Sequence, residues 1–363
     1  QSDVRMAQAA VTRAYLDEQL IGAPRTVSSE RGYIAQQFTV ELRQDQMLKV
    51  EKLAFLYTSR DFAISNCGVA AGKALSRAKR FDAVLARHVH AWTNLWRRFD
   101  IRLQPAGREF RLNLPMLLRL NMFHLLQAAS LNSIGLDVGV PARGWTGEAY
   151  QGHVFWDELF IFPALNYRAP ELTRSLLIYR YRRLNEARAA PAKAGWRGAM
   201  FPWQSGSDGQ EETQELNLNH RSKRWVPDNS FRQRHVGSAI AYNVWQYFQV
   251  TQDFEFLHFY GAELILDIAH FWSSIAIFND ERQRYEIRGV MGPDEFHEAY
   301  PDSESFGLDN NAYTNVMAVW VLSRALEVLQ ILSDIRRREL LERVAITATE
   351  IERCEDMSRR MFV

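Results

Sequence analysis

Cysteine is nearly absent from this chain. Cys67 and Cys354 are the only two in 363 residues and lie far apart, which excludes a disulfide framework and zinc-finger spacing and makes a reducing, cytoplasmic compartment the expectation. An excess of either charge is missing too. Lys and Arg number 44 against 43 Asp and Glu, a net +1, so no broad field steers a polyanion and nucleic acid is not expected as a partner. No uninterrupted apolar run approaches the ~20 residues of a membrane helix. The best stretch, 264–278, contains Asp267, His270 and two serines, so no membrane span is expected. Equally absent are a Gly-rich phosphate fingerprint, a Gly-x-Ser-x-Gly elbow and a His-Glu-x-x-His pair. His153 and His297 have no second ligand at helical or finger spacing, and a metal site is not expected.

What is present is the material of a core. Hydrophobic residues make up 47% and charged residues 24%, a globular balance far from that of disordered chains. Early in the chain Ile34, Gln36, Phe38, Val40 and Leu42 alternate with Gln37 and Glu41, and Leu48 to Tyr57 reads as a second strand. Residues 1–66 are thus expected to be the end of a β-rich module. From Lys73 to Phe99 apolar residues recur at helical spacing, which predicts one long amphipathic helix within a linker over 67–110. Residues 111–363 read as an all-α domain, with helices near 115–131, 170–190, 235–250, 253–277, 312–333 and 338–359. Their rhythm is compatible with a barrel of helical hairpins. The chain starts without Met and stops at Val363 inside a helical pattern, so a piece cut at both ends is expected.

Three long connections, 139–154, 195–234 and 279–311, are where chemistry is expected, because compact domains rarely keep long loops without a use for them. In the third, GVMGPDEFHE places Gly292 and Pro293 in a turn immediately before Asp294 and Glu295. Glu295 is the general-acid candidate, since apolar neighbours such as Met291 and Phe296 would raise its pKa; capping of a following helix is the competing reading. Beside the first loop, QGHVFWDELFIFP sets Phe155 and Trp156 directly before Asp157 and Glu158. An indole face next to a carboxylate suits a sugar, whose C–H face packs on the ring while its hydroxyls donate to the acid. A helix start over a buried Trp explains the same residues. The second loop, GAMFPWQSGSDGQEE, repeats the theme with Trp203 near Glu211 and Glu212.

The motifs GHVFWDELFIFP, YRYRRL, GAMFPWQS, GPDEFHE and DNNAYTN occur in the order found in glycoside hydrolase family 65. From about residue 30 to its end the chain resembles the maltose, trehalose and kojibiose phosphorylases and their hydrolase relatives. The resemblance implies a mainly α fold: an incomplete (α/α)6 barrel, preceded by a remnant of an N-terminal β-sandwich and a helical linker. It also places the family's inverting general acid on Glu295 and its glucose-gripping pair on Trp156 and Asp157. Trp203, Glu211, Glu212 and His297 would line the cleft, with Asn311 in support.

These assignments imply inverting phosphorolysis of an α-glucoside to β-glucose 1-phosphate, with inorganic phosphate as co-substrate and no cofactor. Hydrolysis of the same bond is the alternative, and a non-catalytic carbohydrate-binding protein the second. A small carbohydrate is the expected ligand and a homodimer the expected assembly. One departure concerns the acceptor: YRY continues into Arg182 and Arg183 where several relatives have Thr, which makes Arg183 a candidate for a cationic acceptor pocket. The stretch Asn217 to Arg234 looks longer than in those relatives and is a candidate cover for the cleft.

Overall fold

The computed structural model describes residues 4–31, 33–103, 113–144, 150–294, 297–303 and 305–363. It falls into two compact units, residues 1–100 and 101–363.

In the first unit β1 (Met6–Leu16) and β5 (Leu48–Thr58) pair antiparallel from Met6 opposite Thr58 to Leu16 opposite Leu48, with β2 (Gln19–Ile21) on the other edge of β1. A separate hairpin joins β3 (Thr26–Glu30) to β4 (Tyr33–Gln37). Strand β1 gives little signal in the sequence because its inward positions are largely alanine. The alternation read through Leu42 stops pairing at Gln37, whose partner is Thr26, with Pro24, which has no N–H to donate, just upstream.

Helix α1 (Cys67–Ser76) is capped by the Asn66 side chain, which accepts from the Val69 N–H at 3.1 Å, and it packs on β1 and β5. The single helix expected over 73–99 is in fact two. Residues 77–80 leave the helix, and α2 (Phe81–Phe99) starts where the Arg80 guanidinium is drawn to Glu18 at 3.0 Å and to the buried Glu51 at 3.4 Å. Residues on both sides keep helical spacing, so periodicity alone runs across the break.

The second unit is mainly helical, with α3 (Leu114–Ala128) first and then two layers. Helices α4 (Glu158–Arg168), α5 (Pro170–Arg182) and α6 (Leu184–Ala192) follow in quick succession. The hairpin β6 (Leu216–Asn219) and β7 (Arg224–Pro227) lies inside the second long loop and is followed by α7 (Val236–Thr251). The short α8 (Phe254–Phe256) and a π-helical turn lead into α9 (Ala262–Ile275), and the hairpin of β8 (Ile277–Asn279) and β9 (Arg284–Glu286) opens the third loop. The chain closes with α10 (Ala312–Ile331), α11 (Asp334–Arg343) and α12 (Ala348–Arg360). The helix read over 338–359 is two helices, because Ala345 turns left-handed at φ 53° and Thr347 and Glu350 form a capping box.

Helices α4, α7 and α10 pack side by side, backed by α5, α9 and α12 in a second layer, the hairpin arrangement of an (α/α)6 barrel. Helix α9 is buried nearly all round, Trp272 and Phe271 included, as expected of a helix without a polar face. Its carboxylates Glu263 and Asp267 are also buried. Arg188 of α6 donates to Glu263 at 2.7 Å and to Asp267, while Tyr181 and Arg343 donate to Glu263 at 3.0 and 3.2 Å. Burial still pushes the Asp267 carboxyl up to about 6 against the opposing pull of Arg188. No helix among the described residues is long and apolar enough to cross a membrane.

The loop after α6 crosses the α9 backbone at Gly198, in the left-handed region at φ 78°, while the Ala199 N–H donates to Asp267 O at 2.9 Å. A Cβ at position 198 would lie 2.2 Å from the Phe271 nitrogen and 2.4 Å from Asp267 O, and both are helix backbone that cannot step aside. We expect Gly198→Ala to destabilise the protein by about 3 kcal/mol or more. Urea unfolding measures this, and an unchanged midpoint would contradict the crossing.

Candidate active site

Three helices of one layer begin at the same place. The residues before α4, α7 and α10 are Asp157, His235 and Asn311, and their neighbouring rings meet: Trp156 lies 4.9 Å from His235 and 6.3 Å from Tyr313, and His235 lies 5.6 Å from Tyr313, between centroids. Trp203 joins them, 5.9 Å from Trp156 and 5.4 Å from His235. The partial positive charge at each helix start therefore points towards one aromatic-walled region, which favours carboxylates there. Asp157 is half-buried; burial pushes its pKa up, and the positive charge of Arg143 opposes the rise.

In front of this junction opens a cleft of about 510 Å³, bordered by Trp156, Asp157, Trp203, Gln204, Gln233 and Met291, by Asp294 and Glu298, and by Asn217, Val226 and Asp228 from the β6–β7 hairpin. A second hollow of about 420 Å³ shares Pro293 and Asp294 with it and is lined by His297, Tyr300, Asn311 and Tyr313. The turn between the two is tied down on each side. Val290 exchanges backbone hydrogen bonds with Leu308 at 3.1 and 2.7 Å, the Met291 N–H donates to Arg232 O at 3.1 Å, and the Gly292 N–H donates to His297 O at 2.9 Å. A Cβ at position 292 would sit 2.1 Å from His297 Nδ1, so a larger residue there would displace the His297 ring from the turn. Glu295, the acid candidate, and Phe296 lie outside the described residues.

Of the other residues picked from the sequence, Trp156, Asp157 and Trp203 border the cleft, and His297 and Asn311 border the second hollow. Asn311 also caps α10, accepting from the Thr314 N–H at 3.0 Å and hydroxyl at 3.1 Å. Glu211 and Glu212 are not part of either lining. The Glu211 carboxylate accepts the backbone N–H groups of Trp203 at 2.7 Å and Gln204 at 3.1 Å and the Thr213 hydroxyl at 2.6 Å, so it holds the segment that presents the indole. Glu212 is exposed beside Gly206.

Arg183 does not form the cationic acceptor pocket expected of it. It is buried, its guanidinium donates to both carboxylate oxygens of Asp137 at 2.8 and 3.1 Å and to the carbonyls of Tyr179 and Ser207, and it stacks 3.7 Å from the Tyr179 ring centroid. A guanidinium committed in this way has nothing left for a ligand. Burial pushes the Asp137 carboxyl up, but hydrogen bonds and charge from Arg183 and Arg182 outweigh it and hold the group below its ordinary range. Glu158 is likewise structural: in a pair buried on both sides, Arg180 donates to it at 3.0 Å and to Phe155 O at 2.7 Å, bracing the strand of chain that ends in Trp156.

His235 carried no signal in the sequence beyond standing at a helix start. In the structure it is fully buried among Trp156, Trp203 and Tyr313, and neither ring nitrogen has a hydrogen-bond partner among the described residues. Burial pushes its pKa down to about 4, so the ring is neutral at physiological pH. Asn217, Val226, Asp228, Asn229 and Gln233, all from the stretch expected to cover the cleft, border it, and Gln204 adds a polar side chain that the sequence does not single out.

Comparison with known proteins gives two matching family models, the glycosyl hydrolase family 65 central catalytic domain over residues 119–363 and the family's N-terminal domain over residues 1–95. An uncharacterized glycosyl hydrolase of Mycobacterium tuberculosis is 49% identical over 100% of this chain and 27% of its own length. The trehalose 6-phosphate phosphorylase of Lactococcus lactis is 38% identical over 88% of this chain and 40% of its own length. The kojibiose phosphorylase of Halothermothrix orenii is 34% identical over 84% of this chain and 38% of its own length. A solved chain from the human microbiome, described as a proposed kojibiose phosphorylase, superposes with a TM-score of 0.75 at 21% identity, covering 99% of this chain and 44% of that one. The chain thus spans less than half the length of each of these relatives.

The neutral, buried His235 has a measurable consequence. Its pKa is about 4 in the fold against an ordinary 6.5, so between these pH values the unfolded chain binds the additional proton. Its contribution to stability is therefore intact above about pH 6.5 and declines as pH falls towards 4, by roughly 3 kcal/mol in all. We expect the stability difference between wild type and His235→Gln in urea unfolding to shrink by roughly 2–3 kcal/mol from pH 7.5 to 4.5. A pH-independent difference would show that the ring is not held neutral.

Proposed function

The chain belongs to glycosyl hydrolase family 65, and on that premise we propose that it carries the sugar-gripping part of an enzyme that cleaves an α-glucosidic bond by inverting phosphorolysis. In this reading Trp156 stacks on the glucosyl ring and Asp157 accepts from its hydroxyls. Glu295 gives its proton to the bridging oxygen as the C–O bond breaks. Inorganic phosphate, the co-substrate, forms the new bond at the anomeric carbon from the opposite face, yielding β-glucose 1-phosphate and the free acceptor. No metal or organic cofactor takes part.

The observation that carries the proposal is the meeting of Trp156, Trp203 and Asp157 with the turn that runs into Glu295, all around one cleft. The named phosphorylases among the relatives support phosphate as the attacking group. Hydrolysis is the second reading, favoured by the hydrolase description of the mycobacterial relative. A cytoplasmic homodimer is the proposed setting, the compartment being supported by the free thiols of Cys67 and Cys354.

The full-length protein containing this chain, incubated with α-linked glucose disaccharides, is expected to release β-glucose 1-phosphate only when phosphate is present. Release of glucose at the same rate without phosphate would overturn phosphorolysis in favour of hydrolysis. Glu295→Gln should lower kcat by about 10³-fold with an unchanged unfolding midpoint. Retained turnover would remove Glu295 from its role.

A further inference from the structure

The rings around the sugar site come from separate parts of the chain: Trp156 precedes α4, Trp203 sits in the second long loop and Tyr313 lies in the first turn of α10. Trp156 and Trp203 border the cleft, and Tyr313 borders the second hollow. Behind them stands His235, which borders neither and is 0% exposed, so it has no surface to offer a ligand. Among the described residues it is the one further ring in contact with both indoles, at 4.9 and 5.4 Å between centroids.

The angles identify the kind of packing. The imidazole plane is inclined at 69° to Trp156 and 84° to Tyr313, edge-to-face arrangements in which a positive ring edge meets a negative ring face, and at 59° to Trp203. A buried imidazole whose nitrogens find no hydrogen-bond partner among the described residues is costly to keep, and the π faces of the neighbouring rings are the acceptors left to its N–H. The ring is also unable to retreat. Helix α7 packs on α4, α9 and α10, Val236 directly after His235 is fully buried, and the His235 carbonyl accepts the Ala239 N–H at 3.0 Å. The imidazole is a wedge fixed from behind, and the two indoles, 5.9 Å apart and inclined at 52° to each other, lean on it.

We propose that His235 is a positioning residue for the sugar: without touching it, the imidazole sets the angle between Trp156 and Trp203 at which they hold the glucosyl ring. The inference rests on the reading that these indoles grip that ring. A sugar stacks only on an indole face turned parallel to its own C–H face, so an indole whose supporting packing is removed loses the contact.

The test is a double-variant cycle on glucose binding by the full-length protein, followed by calorimetry, which needs no knowledge of the linkage. Trp156→Ala and His235→Leu, the latter close to imidazole in volume but without a flat edge, are each expected to raise the Kd for glucose by about tenfold or more. Because His235 acts through the indole, the double variant should bind only as weakly as Trp156→Ala alone, whereas independent effects would multiply to about 100-fold. Should His235→Leu fail to fold, His235→Gln carries the same comparison. Leu340→Ala, a core truncation in α11, is the control: it should lower the urea midpoint and leave Kd unchanged. An unchanged Kd in the His235 variant, effects that multiply, or an equal rise in the control would overturn the inference while leaving the indole its role. No glucose binding by the wild type, or an unchanged Kd in Trp156→Ala, would instead remove the gripping reading itself, and this inference with it.

Discussion

The meeting of three helix starts is the constraint on which the site depends. With α4, α7 and α10 beginning side by side, their first-turn N–H groups give the region a positive bias, and the rings of Trp156, Trp203, His235 and Tyr313 wall it with apolar surface. A half-buried carboxylate such as Asp157 is tolerable under those conditions, and a charge developing on a substrate there is felt more strongly than in open solvent. His235 fits this logic by staying neutral, since an imidazolium in the same place would add a desolvated charge with no counterion.

A sugar site rich in acids needs a division between acids that face the ligand and acids that hold the walls. Here the division is made by partners. Glu158 and Asp137 are tied to arginines, and Glu211 to backbone N–H groups, so each is held by the scaffold. Among the described residues Asp294 borders the cleft without such a commitment, and Asp157 with none beyond a backbone N–H. The arginines follow the same rule, Arg180 and Arg183 working as struts while Arg221 and Arg224 of the β6–β7 hairpin have no ion pair or side-chain hydrogen bond among the described residues.

Helical periodicity made α7 and α10 legible to within a residue or two, because long amphipathic segments with clear stop signals leave few alternatives. The same signal misled where two helices continue one another's phase, at Ser76 and again at Arg343, since the breaks there are made by an ion pair and a capping box. Trp156, Asp157 and Trp203 could be picked out because an aromatic next to an acid is a local pattern. His235 could not, for its role comes from rings contributed by residues far away in the chain. Arg183 was misjudged for a related reason: a sequence does not reveal that Asp137 is waiting for it.

The clamp formed by Glu211 has an evolutionary side. Because this carboxylate fixes the main chain at positions 203 and 204 through their amide hydrogens, the path of the loop leans only in part on the side chain at 204, whose amide adds one hydrogen bond to the His153 ring at 2.9 Å. That position can then change identity over generations with its backbone little disturbed, and the cleft can drift from one preferred sugar to another at little cost in folding.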